Sequence, residues 1–191
     1  YNQPMFNNFK DLYNETIQCK KCDLCKTRNT VVFGEGNIHA DIMFIGEGPG
    51  QREDETARPF VGAAGQLLTN MLRDIGIERK DVYIANIVKC RPPHNRDPLE
   101  EEQQACLPYL RNQLALIRPK IIVYLGRIAA SVILGRRVYM TREHGTWTNV
   151  KGFEIMPTFH PAALLYHDAN IPQAREDFVK IKEKLEEIKV D

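Results

Sequence analysis

Uninterrupted or nearly uninterrupted apolar character appears in four short runs: Asp41-Ile42-Met43-Phe44-Ile45, Val82-Tyr83-Ile84-Ala85, Lys120-Ile121-Ile122-Val123-Tyr124-Leu125 and Phe153-Glu154-Ile155-Met156. Runs of this length predict buried strands. Between them the apolar positions take a helical period. Leu67, Leu68, Met71, Leu72 and Ile75 fall on one helix face. Asp97, Pro98 and Glu100 predict a helix start, with an N-cap, a proline in the first position and a capping carboxylate. That helix carries Cys106, with a kink expected at Pro108. Phe178, Ile181, Leu185 and Ile188 form the apolar stripe of a charge-rich C-terminal helix.

Strands alternating with helices imply an α/β fold: a three-layer α/β/α sandwich around a central, mostly parallel four-stranded sheet. Such sheets bind ligands beyond the carboxyl ends of their strands. Gly46–Gly50, Asn86 and His160 follow the first, second and fourth runs, so they are expected to converge. No repeat, linker or low-complexity segment divides residues 1–191, and a single domain is expected.

With 43% apolar and 27% charged residues, the composition is that of a globular protein rather than a disordered one. No apolar run is long enough to span a bilayer, and Tyr1-Asn2-Gln3-Pro4 lacks the layout of a signal peptide, so a cytoplasmic protein is expected. The net charge of +1 does not announce nucleic-acid binding. Six basic and no acidic residues between Arg118 and Arg142 suit either a phosphate-facing patch or a solvated face.

Cys19, Cys22 and Cys25 crowd the N-terminus, while Cys90 and Cys106 lie far downstream. Cys19-x-x-Cys22 puts two thiolates within reach of one centre, and Cys90 with Cys106 can supply two more; Cys22 and Cys25 are spaced the same way. Four thiolates suit zinc or an iron–sulfur cluster, and spacing does not choose between them. Gly46-Glu47-Gly48-Pro49-Gly50 directly follows a strand, with Gln51-Arg52-Glu53-Asp54 after it. Its glycines let backbone N–H groups approach a ligand, but it is neither a P-loop nor a dinucleotide fingerprint. By itself, a tight turn with solvated acids explains it better.

Across nearly its whole length the chain resembles the family 4 uracil-DNA glycosylases of bacteria and archaea. The resemblance rests on Val32-Phe33-Gly34-Glu35-Gly36, Gly46-Glu47-Gly48-Pro49-Gly50, Arg58-Pro59-Phe60-Val61-Gly62, Asn86-Ile87-Val88-Lys89-Cys90-Arg91-Pro92-Pro93, Asn95-Arg96 and His160-Pro161-Ala162-Ala163-Leu164-Leu165. It implies the fold of that family. It also implies a monofunctional enzyme that flips uracil out of single- or double-stranded DNA and hydrolyses its N-glycosidic bond. Free uracil leaves, and the abasic site begins base excision repair. It implies a [4Fe–4S] cluster on Cys19, Cys22, Cys90 and Cys106, formed by the N-terminal segment and the 90–106 region, with Cys25 not required.

The resemblance also assigns roles. Asn86 reads uracil: its amide accepts from N3–H and donates to O4, a pattern that cytosine reverses. Phe60 stacks on the extruded ring, and Gly48 belongs to the uracil site. His160 donates to O2, where negative charge grows as uracil leaves. Glu47 is the catalytic carboxylate, orienting water or stabilising the oxocarbenium-like sugar. Glu53 and Asn95 support the site, and Leu164 enters the base stack as an apolar wedge or else packs its helix. Family 1 enzymes carry glutamine and aspartate where this chain has Glu47-Gly48, and their thymine-excluding tyrosine is Gly50 here. A monomer is expected; the sequence does not disclose a replication-clamp partner. Two other classes compete: a metal-stabilised nucleic-acid or nucleotide binder without hydrolysis, and an electron carrier, which needs no Asn–His–Glu cleft.

Overall fold

The computed structural model describes residues 5–190; the segment Tyr1–Pro4, whose layout bears on a signal peptide, lies outside them. The helices are α1 (Phe9–Thr16), α2 (Gln51–Thr56), α3 (Ala63–Asp74), α4 (Glu100–Ile117), α5 (Arg127–Leu134), α6 (Met140–Glu143), α7 (Pro161–Tyr166) and α8 (Ile171–Val190). The strands are β1 (Glu35–Gly36), β2 (Ile42–Gly46), β3 (Tyr83–Asn86), β4 (Ile121–Leu125), β5 (Thr148–Val150) and β6 (Phe153–Thr158).

The four apolar runs are β2, β3, β4 and β6, and they pair in parallel in the order β3-β2-β4-β6. The sheet nevertheless has six strands, not four. Antiparallel β1 and β5 close its two edges. Both are short and are exposed or half-buried, so neither carries the apolar run by which a central strand is recognised.

Alternation along each strand builds the three layers. Met43, Ile45, Tyr83, Ile122, Tyr124 and Ile155 face one way, against Leu12 of α1, Leu107, Leu110 and Leu114 of α4 and Ala129 of α5. Ile42, Phe44, Ile84, Val123, Leu125 and Met156 face the other way, against Leu68 and Leu72 of α3, Leu164 of α7 and Phe178 and Ile181 of α8. Strands buried on both faces are what a doubly covered parallel sheet requires.

Helix α4 begins later than Asp97-Pro98-Glu100 suggests. Leu99 is its N-cap residue, and the carboxylate that reaches back is Glu102, whose Oε1 accepts from Leu99 N at 2.8 Å. Arg96 holds Glu102 in place through two bonds of 2.8 Å. The helix continues through Pro108 to Ile117.

Candidate active site

The carboxyl ends of the four parallel strands gather on one side, where three of them supply residues to a common cleft and the fourth packs behind it. Glu47 follows β2, Asn86 ends β3, Gly126 follows β4 and His160 follows β6. A cavity of about 200 Å³ opens there, and Glu47, Gly48, Glu53, Phe60, Asn86, Asn95 and His160 all line it.

Asn86 is 2% exposed, and its Oδ1 has no hydrogen-bond partner among the described residues. A buried carbonyl left unpaired costs about 1–3 kcal/mol, so this oxygen is built to meet something. Close backbone approach makes room for it: a β-carbon on Gly46 would lie 2.6 Å from both Asn86 Oδ1 and Phe60 Cζ.

Phe60 sits at φ 51°, a left-handed conformation costly for a bulky side chain. Its loop is held from three sides. Arg79 Nη1 donates to Phe60 O at 2.6 Å, and Arg79 Nη2 donates to Pro59 O. Glu53 Oε2 accepts from Val61 N at 2.9 Å and Gly62 N at 2.8 Å, while its Oε1 accepts from Gly50 N at 3.0 Å. One carboxylate therefore joins the glycine loop to the Phe60 loop. Gly65 completes the clamp, since a β-carbon there would lie 1.8 Å from Phe60 O. The Phe60 and His160 rings are 5.4 Å apart and tilted by 31°.

His160 is the N-cap residue of α7. Its Nδ1 accepts from Ala162 N at 3.0 Å, so the proton of the neutral ring is on Nε2. Burial pulls its pKa down to about 4, against the opposing charge of Glu53. Glu47 moves the other way. Burial, with the nearby Asp97 charge, raises it to about 7, and Arg127 partly offsets this. Burial thus drives both titratable groups of the cleft toward their neutral forms, by shifts in opposite directions. Asn95, at φ 57°, accepts from Arg91 Nε at 2.7 Å through Oδ1.

Leu164 does not enter the cleft. It is 1% exposed in the core against α3 and α8, so packing fixes it and a wedge role is corrected. The exposed apolar residues at this end of α7 are Leu165 and Tyr166, at 50% and 84%. Three contributors were not read from the sequence. Gly126, at φ 99°, leaves space where a β-carbon would lie 3.1 Å from both Glu47 Oε1 and His160 Cβ. The strand-end rule, applied to the third run, points to it. Gly65 and Arg79 act through backbone contacts with a loop whose path no local pattern reports.

A second cavity is lined by Cys19, Cys22, Cys90 and Cys106 with Arg28, Lys89 and Tyr109; Cys25 is not among its lining residues. Backbone and guanidinium N–H groups point at the sulfurs. Lys89 N donates to Cys106 Sγ at 3.1 Å, Arg28 Nη1 to Cys90 Sγ at 3.3 Å and Lys21 N to Cys19 Sγ at 3.5 Å. Burial pushes the Cys106 thiol up to about 12 and raises Cys90 and Cys22, so they ionise at neutral pH only on binding a metal. Among the described residues no three His, Cys, Asp or Glu side chains gather tightly enough to hold a single ion.

The family profile described as the uracil DNA glycosylase superfamily matches residues 33–186. A type-4 uracil-DNA glycosylase from Saccharolobus solfataricus is 47% identical, over 94% of this chain and 87% of its own length. One from Archaeoglobus fulgidus is 46% identical, over 93% and 92%. One from Thermotoga maritima is 50% identical, over 84% and 85%. A cleft assembled at strand ends, with a separate cavity lined by four cysteines, thus occurs in a sequence like these over most of its length, and this chain belongs to the uracil-DNA glycosylase superfamily, with the type-4 enzymes.

Proposed function

We propose that the chain is a monofunctional uracil-DNA glycosylase, a single domain acting as a monomer in the cytoplasm on single- or double-stranded DNA. The observation that carries this is the buried Asn86 Oδ1, unpartnered at the floor of a cleft faced by Phe60 and His160. Uracil N3–H donates to that oxygen, and the Asn86 amide donates to O4. Cytosine offers an acceptor and a donor in those places and leaves both unmet. Phe60 supplies the face on which the extruded ring stacks.

Bond cleavage puts negative charge on uracil and positive character on the sugar. His160, neutral and protonated on Nε2, donates toward O2 and holds the growing charge without transferring a full proton. The Glu47 carboxylate, beside His160, orients the water that adds to the sugar carbon and stabilises its cationic character. The bond from the sugar carbon to uracil N1 breaks with its electron pair on uracil, and the water oxygen bonds to that carbon. The water's proton passes to the Glu47 carboxylate and from there to solvent, while uracil leaves as its anion and is protonated in water. No lysine lines the cleft among the described residues, which supports water rather than an amine as nucleophile. Borohydride trapping of an enzyme–DNA adduct during turnover would overturn this.

We also propose that Cys19, Cys22, Cys90 and Cys106 hold a [4Fe–4S] cluster. Four thiols lining one cavity, with N–H groups aimed at three of the sulfurs, support that group. When bound it cross-links the N-terminal segment, the loop after β3 and α4. Hydrolysis needs no electrons, so its role is structural. The thiol ligands also fit a reducing compartment.

The test is an oligonucleotide with a single uracil. The enzyme should release free uracil and leave the strand intact, and Asn86→Ala should lower release by about 10²-fold or more. Unchanged release by Asn86→Ala sinks the assignment.

A further inference from the structure

Lys89 is 1% exposed, the only lysine among the described residues that is buried. An ammonium out of water costs several kcal/mol unless it is well paired. No carboxylate meets it. Its Nζ turns back three residues and donates to the main-chain carbonyl of Asn86 at 3.0 Å, and to Gln113 Oε1 at 2.7 Å. Gln113 is fully buried in α4; its Nε2 donates to Phe33 O at 2.9 Å and to the Tyr83 hydroxyl at 3.2 Å. The main chain of Lys89 is equally occupied: its N–H donates to Cys106 Sγ at 3.1 Å, and its carbonyl accepts from Val32 N at 2.7 Å.

The chain just beyond Asn86 is tied to the glycine loop. Ile87 N donates to Gly46 O at 3.0 Å, and Val88 N to Glu47 O at 3.1 Å. A shift of the chain at Asn86 therefore reaches Glu47 as well. The Asn86 side chain itself has no bond from Oδ1 to fix its depth in the cleft. Its placement depends on the main chain behind it, which the pairing with β2 holds on one side and Lys89 holds through the Asn86 carbonyl.

We propose that Lys89 is a positioning residue for the base-reading site: its ammonium sets where the Asn86 amide meets the base, and its N–H bond to Cys106 ties that setting to the cysteine centre. This rests on the reading of Asn86 as the uracil contact. Lysine suits the task because a four-carbon stem reaches back from a residue beyond the strand end, and its donors serve two acceptors in different directions.

The experiment compares the iron-loaded parental enzyme with Lys89→Met, Lys89→Arg and Gln113→Leu. Iron per chain, affinity for free uracil, affinity for undamaged duplex and single-turnover release of uracil are measured on each. In Lys89→Met molecules with full iron, release should fall about tenfold or more and free-uracil affinity should fall in parallel, with duplex affinity nearly unchanged. Lys89→Arg should recover part of both, and Gln113→Leu should show a smaller loss of the same kind. Parental uracil affinity and release in iron-loaded Lys89→Met overturn the inference, as do losses that track iron content alone across the variants. Where Lys89→Met does not fold, Gln113→Leu decides: unchanged uracil affinity in that variant refutes the proposal. A parental enzyme that releases no uracil refutes the reading of Asn86 itself, and that result is distinct from an active parent with indifferent Lys89 variants.

Discussion

In the proposed mechanism Glu47 works as a carboxylate, in a place that resists charge. Its pKa of about 7 predicts that single-turnover release rises with pH and levels off above neutrality, while His160, titrating near 4, adds no further change across that range. Glu47→Gln should remove this limb and lower the rate by about 10²–10⁴-fold. The stability consequence has the opposite sign. The folded pKa lies above the ordinary value of 4.5, so the folded state binds the proton more tightly than the unfolded chain. The cost of ionising Glu47 is absent below pH 4.5, grows as pH rises, and is complete above about 7. Glu47→Gln should therefore melt higher than the parent at pH 8 and equally at pH 4; a lower melting temperature at pH 8 contradicts the burial argument. At the neighbouring helix, Leu164→Ala should cost about 2–5 kcal/mol by opening a core cavity. Leu165→Ala should cost under about 0.5 kcal/mol, yet slow uracil release from duplex more than from single strands if Leu165, exposed like its neighbour Tyr166, serves as the apolar wedge. Urea melts and paired substrates separate the two.

Among the elements, the segment between α2 and α3 is the one whose path matters most. It carries Phe60 in a conformation that a bulky side chain avoids, held by Glu53 behind it, Arg79 across it and Gly65 beneath it. Gly65→Ala tests the clamp. The added methyl meets main-chain atoms of Phe60, which have no flexible end to yield, so the loop must move. Overpacking of this kind costs about 1–3 kcal/mol. A displaced stacking ring should lower uracil release by about 10²-fold with duplex affinity retained. Parental kinetics in Gly65→Ala would show that the position of Phe60 is not critical.

At the scale of the molecule, the cysteine cavity joins parts far apart in the chain. Asp54 adds a second tie to the N-terminal segment: its carboxylate accepts from Asn29 N at 2.9 Å and Thr30 N at 3.1 Å, fastening the stretch after the cysteines to α2. Cys90→Ser and Cys106→Ser should lose iron and melt lower, while Cys25→Ser should keep both iron content and melting temperature, since Cys25 does not line the cavity. Iron assay with thermal melts checks this. Loss of iron in Cys25→Ser would mean that a different N-terminal pair holds the metal, and a colourless active protein with stoichiometric zinc would replace the cluster by a single ion.

The sequence by itself determined the parallel core, because a strand buried on both faces has to be apolar throughout, and four such runs are visible without any fold in hand. It also determined which loops converge, since parallel strands carry their carboxyl ends to one side; Glu47, Asn86 and His160 are placed by that rule. The cysteine spacing marked a candidate metal-binding set, and the motifs in order brought the family into view. Only the tertiary structure decided what depends on contacts between distant segments. The edge strands are polar and take their pairing from neighbours already in place. Helix α4 starts where Arg96 and Glu102 meet, not where a proline suggests it. Leu164 and Leu165 are alike in the sequence, and only the position of α7 against α3 and α8 puts one in the core and the other in solvent. The forms of Glu47 and His160, the empty valence of Asn86 and the turn of Lys89 back onto Asn86 likewise arise from burial and proximity, which exist only once the chain has closed around them.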